Sequence, residues 1–206
     1  MNYPPKHHQE QNFENIVSLI KEYPLATMLS VKDNDVLATH VPLIYEKTEN
    51  YGKLIGHLDK FNPQLETIQN GTQVTIIFHG PDTYISPSVY STPQLPTWNY
   101  LKAHLKGKVN LYTDKEKIKR NLISMTEFME DPSPNYILAP DNPRMLAYLD
   151  YIVGFEITIT NWEGKYKFSQ DKLSKDQELA KLELINKNQH RINDFIEHIF
   201  SNHQQA

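Results

Sequence analysis

Thr72 to Gly107 reads TQVTIIFHGPDTYISPSVYSTPQLPTWNYLKAHLKG, and the fold class turns on how this stretch is parsed. Val74, Ile76 and Phe78 alternate with Thr75, Ile77 and His79, and the density of β-branched residues predicts a strand. Gly80-Pro81-Asp82 has turn chemistry, with proline setting φ and glycine free to take positive values. Tyr84 to Pro87 starts a second extended piece. A loop of Ser, Thr, Pro and aromatic residues follows, and then a third run from Trp98 through Gly107 to Tyr112. Strands joined by such a loop offer a place for a flat ligand, because Tyr and Trp present apolar faces while hydroxyls and the Asn99 amide fix orientation. Strand aromatics also serve as plain core, and the spacing leaves both readings open.

Working outward, Asn12 caps a helix whose apolar set Phe13, Ile16, Val17 and Ile20 follows helical spacing, and Tyr23-Pro24 stops it. Met1 to Gln11 reads as an extended arm. Leu25–Val31 and Val36–Tyr45 are predicted strands joined by a hairpin loop at Lys32–Asp35, the second bent at Pro42. Tyr51–His57 is a third strand, and Asn62-Pro63 opens a short helix through Ile68. Downstream, Asp114 caps a helix over Lys115–Glu130 with Ile118, Leu122, Met125 and Met129 inside. Residues 131–143 form a proline-rich loop, and Arg144–Tyr151 a short helix. Ile152–Thr160 alternates as a strand, Glu163-Gly164 turns, and Lys165–Phe168 pairs back as a hairpin. Two helices close the chain, over Lys175–Asn186 and His190–Ser201.

This count, seven or eight short strands mostly linked by hairpins, predicts a mainly β protein with helices, of the α+β class. An antiparallel barrel decorated by helices is the economical architecture. No linker divides it, so residues 1–206 are expected as a single domain with a helical extension from about 171 to 206.

The totals narrow the chemistry. With no cysteine among 206 residues there is no disulfide, thiolate metal site or cysteine nucleophile. No apolar run approaches the roughly 20 residues a membrane helix needs. The start, MNYPPKHHQEQ, lacks a signal-peptide core, so a cytoplasmic protein with no membrane contact is expected. A net charge of −4 argues mildly against DNA.

Two stretches suit an anion. In Gly56–Pro63 a strand end meets a helix N-terminus, and His57, Lys60 and Asn62 could face a phosphate. The plainer alternative has Asn62 capping its helix and Lys60 in solvent. In Trp162–Gln170 the period of two puts Lys165, Lys167 and Ser169 on one strand face, which is either a second approach to an anion or a solvated outer face. His40, His57, His79 and His104 lie on or beside four different strands without metal-ligand spacing, so no metal is expected. There is no GxSxG elbow or glycine-rich phosphate loop. The final helix, His190 to His198, carries Asp194 and Glu197 beside Arg191, a poor DNA-reading face.

Several strings then carry a resemblance. They are Tyr3-Pro4-Pro5-Lys6-His7, Ala38-Thr39-His40-Val41-Pro42-Leu43, Leu54-Ile55-Gly56-His57-Leu58 and Asn62-Pro63-Gln64. Further on come Phe78-His79-Gly80-Pro81-Asp82, Tyr84-Ile85-Ser86-Pro87-Ser88, Pro96-Thr97-Trp98-Asn99-Tyr100, Val153-Gly154-Phe155-Glu156-Ile157 and Glu163 through Gln170. In this order the chain resembles the PaiB-like family of FMN-binding split-barrel proteins, described as negative transcriptional regulators. It departs from the family pattern at His8, where an aromatic is usual, and at Val89, where Trp is common.

The resemblance implies an antiparallel split β-barrel of the FMN-binding type, similar to pyridoxamine-phosphate oxidases, dimerising with FMN between subunits. It implies a phosphate clamp at His57, Lys60 and Asn62, with a second arm at Lys165, Lys167 and Ser169. Tyr84, Ser86, Trp98, Asn99 and Tyr100 would lie near the flavin ring or the dimer seam. The leading expectation is a homodimeric flavin-binding protein, an FMN-dependent oxidoreductase or a flavin-sensing regulator. The rival is a transcriptional regulator acting through DNA or a protein partner without flavin chemistry. Haem binding in a similar barrel, with a histidine as ligand, is a third reading. No catalytic residue is identified.

Overall fold

In the computed structural model, which describes residues 4–190, two helix starts follow the caps read from the sequence, and a third is capped by a residue that reading did not name. Asn12 accepts a hydrogen bond from the Glu14 N–H at 3.0 Å and opens α1 (Phe13–Glu22). Asp114 accepts from the Lys117 N–H at 2.6 Å and opens α2 (Lys115–Glu130). Asn142 accepts from the Arg144 and Met145 N–H groups and opens α3 (Pro143–Tyr148), which has proline at its first turn. A 3₁₀ turn, Leu149–Tyr151, finishes the helix expected over 144–151. The last described helix, α4, covers Ser174–His190 and so runs past the expected end at Asn186. The predicted helix His190–Ser201 lies, after its first residue, outside the described residues.

The strands are β1 (Gln9–Glu10), β2 (Leu25–Lys32), β3 (Asp35–Pro42), β4 (Ile44–Glu46), β5 (Lys53–Asp59), β6 (Gln73–Ile85), β7 (Thr97–Tyr112) and β8 (Ile152–Lys167). They form one sheet in the order β3-β2-β6-β7-β8-β5-β4, with β1 also on β8. The pairings of β1–β8, β2–β3, β2–β6, β4–β5 and β5–β8 are antiparallel. The β2–β3 hairpin turns through Asp33 and Asn34, both left-handed at φ 52° and 66°, the conformation a two-residue hairpin with matching twist requires.

Two expected turns are not turns. Gly80-Pro81-Asp82 lies inside β6: Val74, Ile76, Phe78 and Gly80 are buried in alternation, and burial resumes at Thr83 and Ile85. The phase slips by one residue across Pro81–Asp82, as an inserted residue makes it, and a proline without an N–H is tolerated there. Tyr84 therefore continues β6 rather than starting a new piece. Glu163-Gly164 likewise lies inside β8, which continues to Lys167. Gly164 and Lys165 sit opposite Glu10 and Gln9 of β1, so the N-terminal arm, not a returning hairpin, is the partner of this segment. Long-range pairing overrides local turn chemistry at both places. Met129, expected inside its helix, is 43% exposed.

The chain divides into two compact units, one of residues 1–11, 80–102 and 164–206, the other of residues 12–79 and 103–163. In the second, Ile16, Ile20, Met28, Leu54, Ile76, Phe78, Leu105 and Phe155 are almost wholly buried. Each such side chain contributes about 1.5–3 kcal/mol of burial free energy. Gly107 has a packing reason in β7: a Cβ there would lie 2.4 Å from the Ile157 Cγ2 and 2.7 Å from the Thr158 carbonyl oxygen. In the first unit, Ile85, Tyr90 and Ala180 form a small core. There Asp176, in the first turn of α4, accepts from the Thr92 hydroxyl and from the Ser91 N–H and hydroxyl at 2.6 and 2.7 Å. Those bonds, that of Thr92 first, hold its carboxyl below the usual carboxylate range.

Candidate functional site

The unit built from residues 1–11, 80–102 and 164–206 carries eight of the eleven expected site residues. Tyr84 of β6 and Trp98 of β7 are exposed and meet edge to face, with centroids 6.4 Å apart at 65°. They present aromatic surface outward instead of filling core. Ser86 is committed locally: its hydroxyl bonds that of Ser88 at 2.8 Å and caps the 3₁₀ turn Pro87–Val89. Tyr100 is half-buried, with the Lys165 ammonium 5.3 Å from its ring centroid.

Asn99 and Ser169 are structural partners of one another. Both are buried; the Ser169 hydroxyl bonds the Tyr90 hydroxyl at 2.8 Å and accepts from the Asn99 amide at 3.1 Å. The strand has ended at Lys167, and Ser169 takes φ 65°. Lys165, Lys167 and Ser169 therefore do not share one strand face. Lys165 and Lys167 share one face of β8, and the left-handed turn then carries Ser169 inward.

Around that turn is a cavity of about 290 Å³ lined by Lys167, Ser169, Lys172, Thr97, His8 and Asp171, together with Gln94–Pro96. Lys167 donates to the Thr97 hydroxyl. Lys172 pairs with Asp171 at 2.6 Å. Partial burial disfavours the Asp171 carboxylate, but the Lys172 bond, a bond to its own backbone and nearby charges leave its carboxyl below the usual range. His8 is buried with its Nε2 unpartnered, and its pKa is pushed down, first by burial and then by His7 and Lys167. Two ammonium groups and two hydroxyls on a part-enclosed wall suit a small anionic group such as a phosphate.

The remaining three residues, His57, Lys60 and Asn62, belong to the other unit. His57 is half-buried on β5, and burial pushes its pKa below the ordinary value, favouring the neutral ring. The Lys60 ammonium donates to the Asp150 carbonyl at 2.8 Å and stands 4.6 Å from the Tyr151 ring centroid. Asn62 caps the 3₁₀ turn Pro63–Glu66 through the Gln64 N–H at 2.9 Å and exchanges bonds with the Thr39 hydroxyl. Buried Gln64 ties that turn to β2 and β3 by donating to the Met28 carbonyl, the Ser30 hydroxyl and the Leu37 carbonyl. The plainer reading, Asn62 as a cap, is thus correct in geometry. Lys60 is exposed, as that reading has it, with its ammonium tied to a backbone carbonyl and a ring face.

Of the four strand histidines, His40 and His79 both bond the Thr27 hydroxyl, at 3.0 and 3.2 Å, and His104 lies 4.0 Å from Glu163. Among the described residues these four form no three-ligand group. The sequence reading missed Thr97, Lys172, His8 and Asp171 as cavity residues. Lys172 and Asp171 lie just past the Glu163–Gln170 string, and that proximity was the available signal; nothing local tied His8 to them.

Comparison with known proteins identifies the family and the fold. The profile of the family described as "Putative FMN-binding domain" matches residues 2–161. The protease synthase and sporulation protein PAI 2 of Bacillus subtilis is 33% identical over 176 residues, 84% of each chain. The FAD and haem binding protein of Mycobacterium smegmatis superposes with a TM-score of 0.60 at 17% identity, covering 82% of this chain and 78% of that one. A flavocytochrome of Azotobacter vinelandii gives a TM-score of 0.55 at 12% identity, covering 78% and 69%. The fold is the mainly β, antiparallel split barrel expected from the sequence. No helix among the described residues is long and apolar enough to cross a membrane.

Proposed function

We propose, from the premise that this chain belongs to the PaiB-like family of FMN-binding split-barrel proteins, that it binds FMN and holds the phosphate in the cavity around Lys167. One observation carries this reading: Lys167, Lys172, Thr97 and Ser169 line a single part-enclosed cavity in the unit that also displays the Tyr84–Trp98 aromatic pair. A phosphate dianion there gains charge-assisted hydrogen bonds, each worth about 1.5–3 kcal/mol. Rings with exposed faces suit a flat heterocycle.

The residues divide the work in this reading. Lys167 and Lys172 neutralise the phosphate, and the Thr97 hydroxyl orients it. The Asn99–Ser169–Tyr90 network fixes the wall against which it sits. Tyr84, Trp98 and Tyr100 contact the isoalloxazine or a second copy of the chain, and Lys165 keeps positive charge beside Tyr100. Ser86 sets the loop that follows Tyr84. His57, Lys60 and Asn62 form a weaker anion corner in the other unit, because it offers one ammonium group where the cavity offers two.

FMN, when bound, supplies hydride and electron chemistry, which the protein positions and tunes. The rest of the proposal is a cytoplasmic homodimer of single-domain chains, with FMN-dependent oxidoreduction as its activity. Flavin sensing in a regulator would use the same cavity. A net charge of −4 disfavours the DNA-binding rival without flavin. The test is binding of FMN to the purified protein, with Lys167→Ala as the site-specific control.

A further inference from the structure

The chain's N-terminal arm brings two imidazoles to a carboxylate far along the sequence. His7 and His8 form a 3₁₀ turn with Lys6, and β1, starting at the next residue, pairs Gln9 with Lys165. That pairing fixes the turn against the segment following β8, where Asp171 lies. The two histidine rings meet at 4.1 Å between centroids, 71° apart, and one ligand atom from each of His7, His8 and Asp171 lies within 4.8 Å of the others.

We infer that His7, His8 and Asp171 form a binding site for a divalent transition-metal ion of the zinc class, with a coordination position open to the 290 Å³ cavity that His8 and Asp171 line.

Three points carry the inference. First, the buried Nε2 of His8 has no hydrogen-bond partner, and an unmet buried polar atom is unfavourable. A metal ion bound through that nitrogen would satisfy it. Second, the closure needed is small. A tetrahedral ion with bonds of about 2.1 Å places ligand atoms about 3.4 Å apart, and His7 and Asp171 are exposed enough to rotate inward. Third, the donor set selects the ion. Two imidazoles and a carboxylate suit zinc, cobalt, nickel or copper, whereas magnesium and calcium take oxygen ligands. The Lys172 ammonium shares the Asp171 carboxylate through Oδ2, and Lys167 lines the same cavity, so ions held by charge alone are disfavoured. Three protein ligands leave a fourth position for water or an anion from the cavity. This inference does not depend on flavin binding.

The test uses the full-length, untagged, chelator-treated protein without flavin. Co²⁺ is titrated by visible ligand-field absorption, and Zn²⁺ by calorimetry. The expected result is one ion per chain, unaffected by excess Mg²⁺. His8→Gln and Asp171→Asn should each raise the Co²⁺ dissociation constant at least about tenfold. His40→Gln, which removes an exposed strand imidazole, should leave it unchanged. Apo melting curves show which variants fold, and if His8→Gln does not, exposed Asp171→Asn decides alone. Absent Co²⁺ bands, binding that survives Asp171→Asn, or equal loss in His40→Gln would overturn the site.

Discussion

Replacing Gly154 with alanine tests the packing that supports the His57 corner, since Gly154 lies opposite His57 in the β5–β8 register. A Cβ at this position would stand 2.2 Å from Tyr112 Cε2, 2.4 Å from Cζ and 2.8 Å from the hydroxyl. The ring is not free to yield. The Asn121 amide donates to its hydroxyl, and the Lys117 ammonium sits 4.1 Å from its centroid. Displacing it forfeits about 1 kcal/mol for the hydrogen bond and about 0.5–1 kcal/mol for the cation–π contact. Shifting β8 instead incurs overpacking strain of about 1–3 kcal/mol. Either way Gly154→Ala should cost about 1–3 kcal/mol, or about 2–12 °C in melting temperature for a chain of this size. Thermal and urea melts of Gly154→Ala, Tyr112→Ala and the double variant measure it. The double variant should be more stable than the sum of the singles by about 1 kcal/mol or more, because truncating the ring removes the clash. A Gly154→Ala protein melting within about 1 °C of the parent, or strictly additive singles, would refute the reasoning.

Further outcomes follow from the same geometry. Burial lowers the His57 pKa, so its contribution is fully present above the unfolded value of 6.5 and is lost as pH falls from there through the folded value. Urea melts of His57→Gln should therefore show a flatter stability profile below pH 6.5 than the parent; parallel profiles would count against the buried, neutral ring. Glu156 lies 3.2 Å from Lys53 and 3.0 Å from Lys117; despite the opposing effect of burial, these partners hold its carboxyl below the ordinary value of 4.5. Its stabilisation is present above that pH and lost as pH falls through the folded value, so Glu156→Gln should reduce the parent's acid sensitivity there. Lys167→Ala should raise the FMN dissociation constant about tenfold to a hundredfold. Lys60→Ala should raise it less, and equilibrium titrations showing the reverse order would move the phosphate to the His57–Asn62 corner.

Where the sequence spoke plainly, the signal was local. Asn12, Asp114 and Asn62-Pro63 announce their helices because a cap acts on N–H groups two or three residues away. Asp33-Asn34 announces a hairpin because the left-handed pair is the turn itself. Gly80-Pro81-Asp82 and Glu163-Gly164 misled because their turn chemistry is equally local, while their strand character comes from distant partners. The partner of Gly164 is Glu10, in an arm with no strand pattern of its own. The candidate site divides the same way. Period-two reasoning placed Lys165 and Lys167 correctly, then failed at Ser169, where a positive φ ends the alternation. The cavity joins His8 and Thr97 to Lys167 and Asp171 through tertiary structure, and no spacing rule links residues so far apart. Hairpin counting reached an antiparallel barrel, and the family resemblance specified it as the split type.

The central claim, that this barrel holds FMN by its phosphate, is tested most directly by a fluorescence titration of the cofactor-stripped protein with FMN, using riboflavin as the phosphate-free control. Saturable FMN binding is expected, with riboflavin weaker by about tenfold or more. Equal affinities would place the phosphate outside the Lys167 cavity, and failure of both flavins to bind would show that this barrel does not hold FMN.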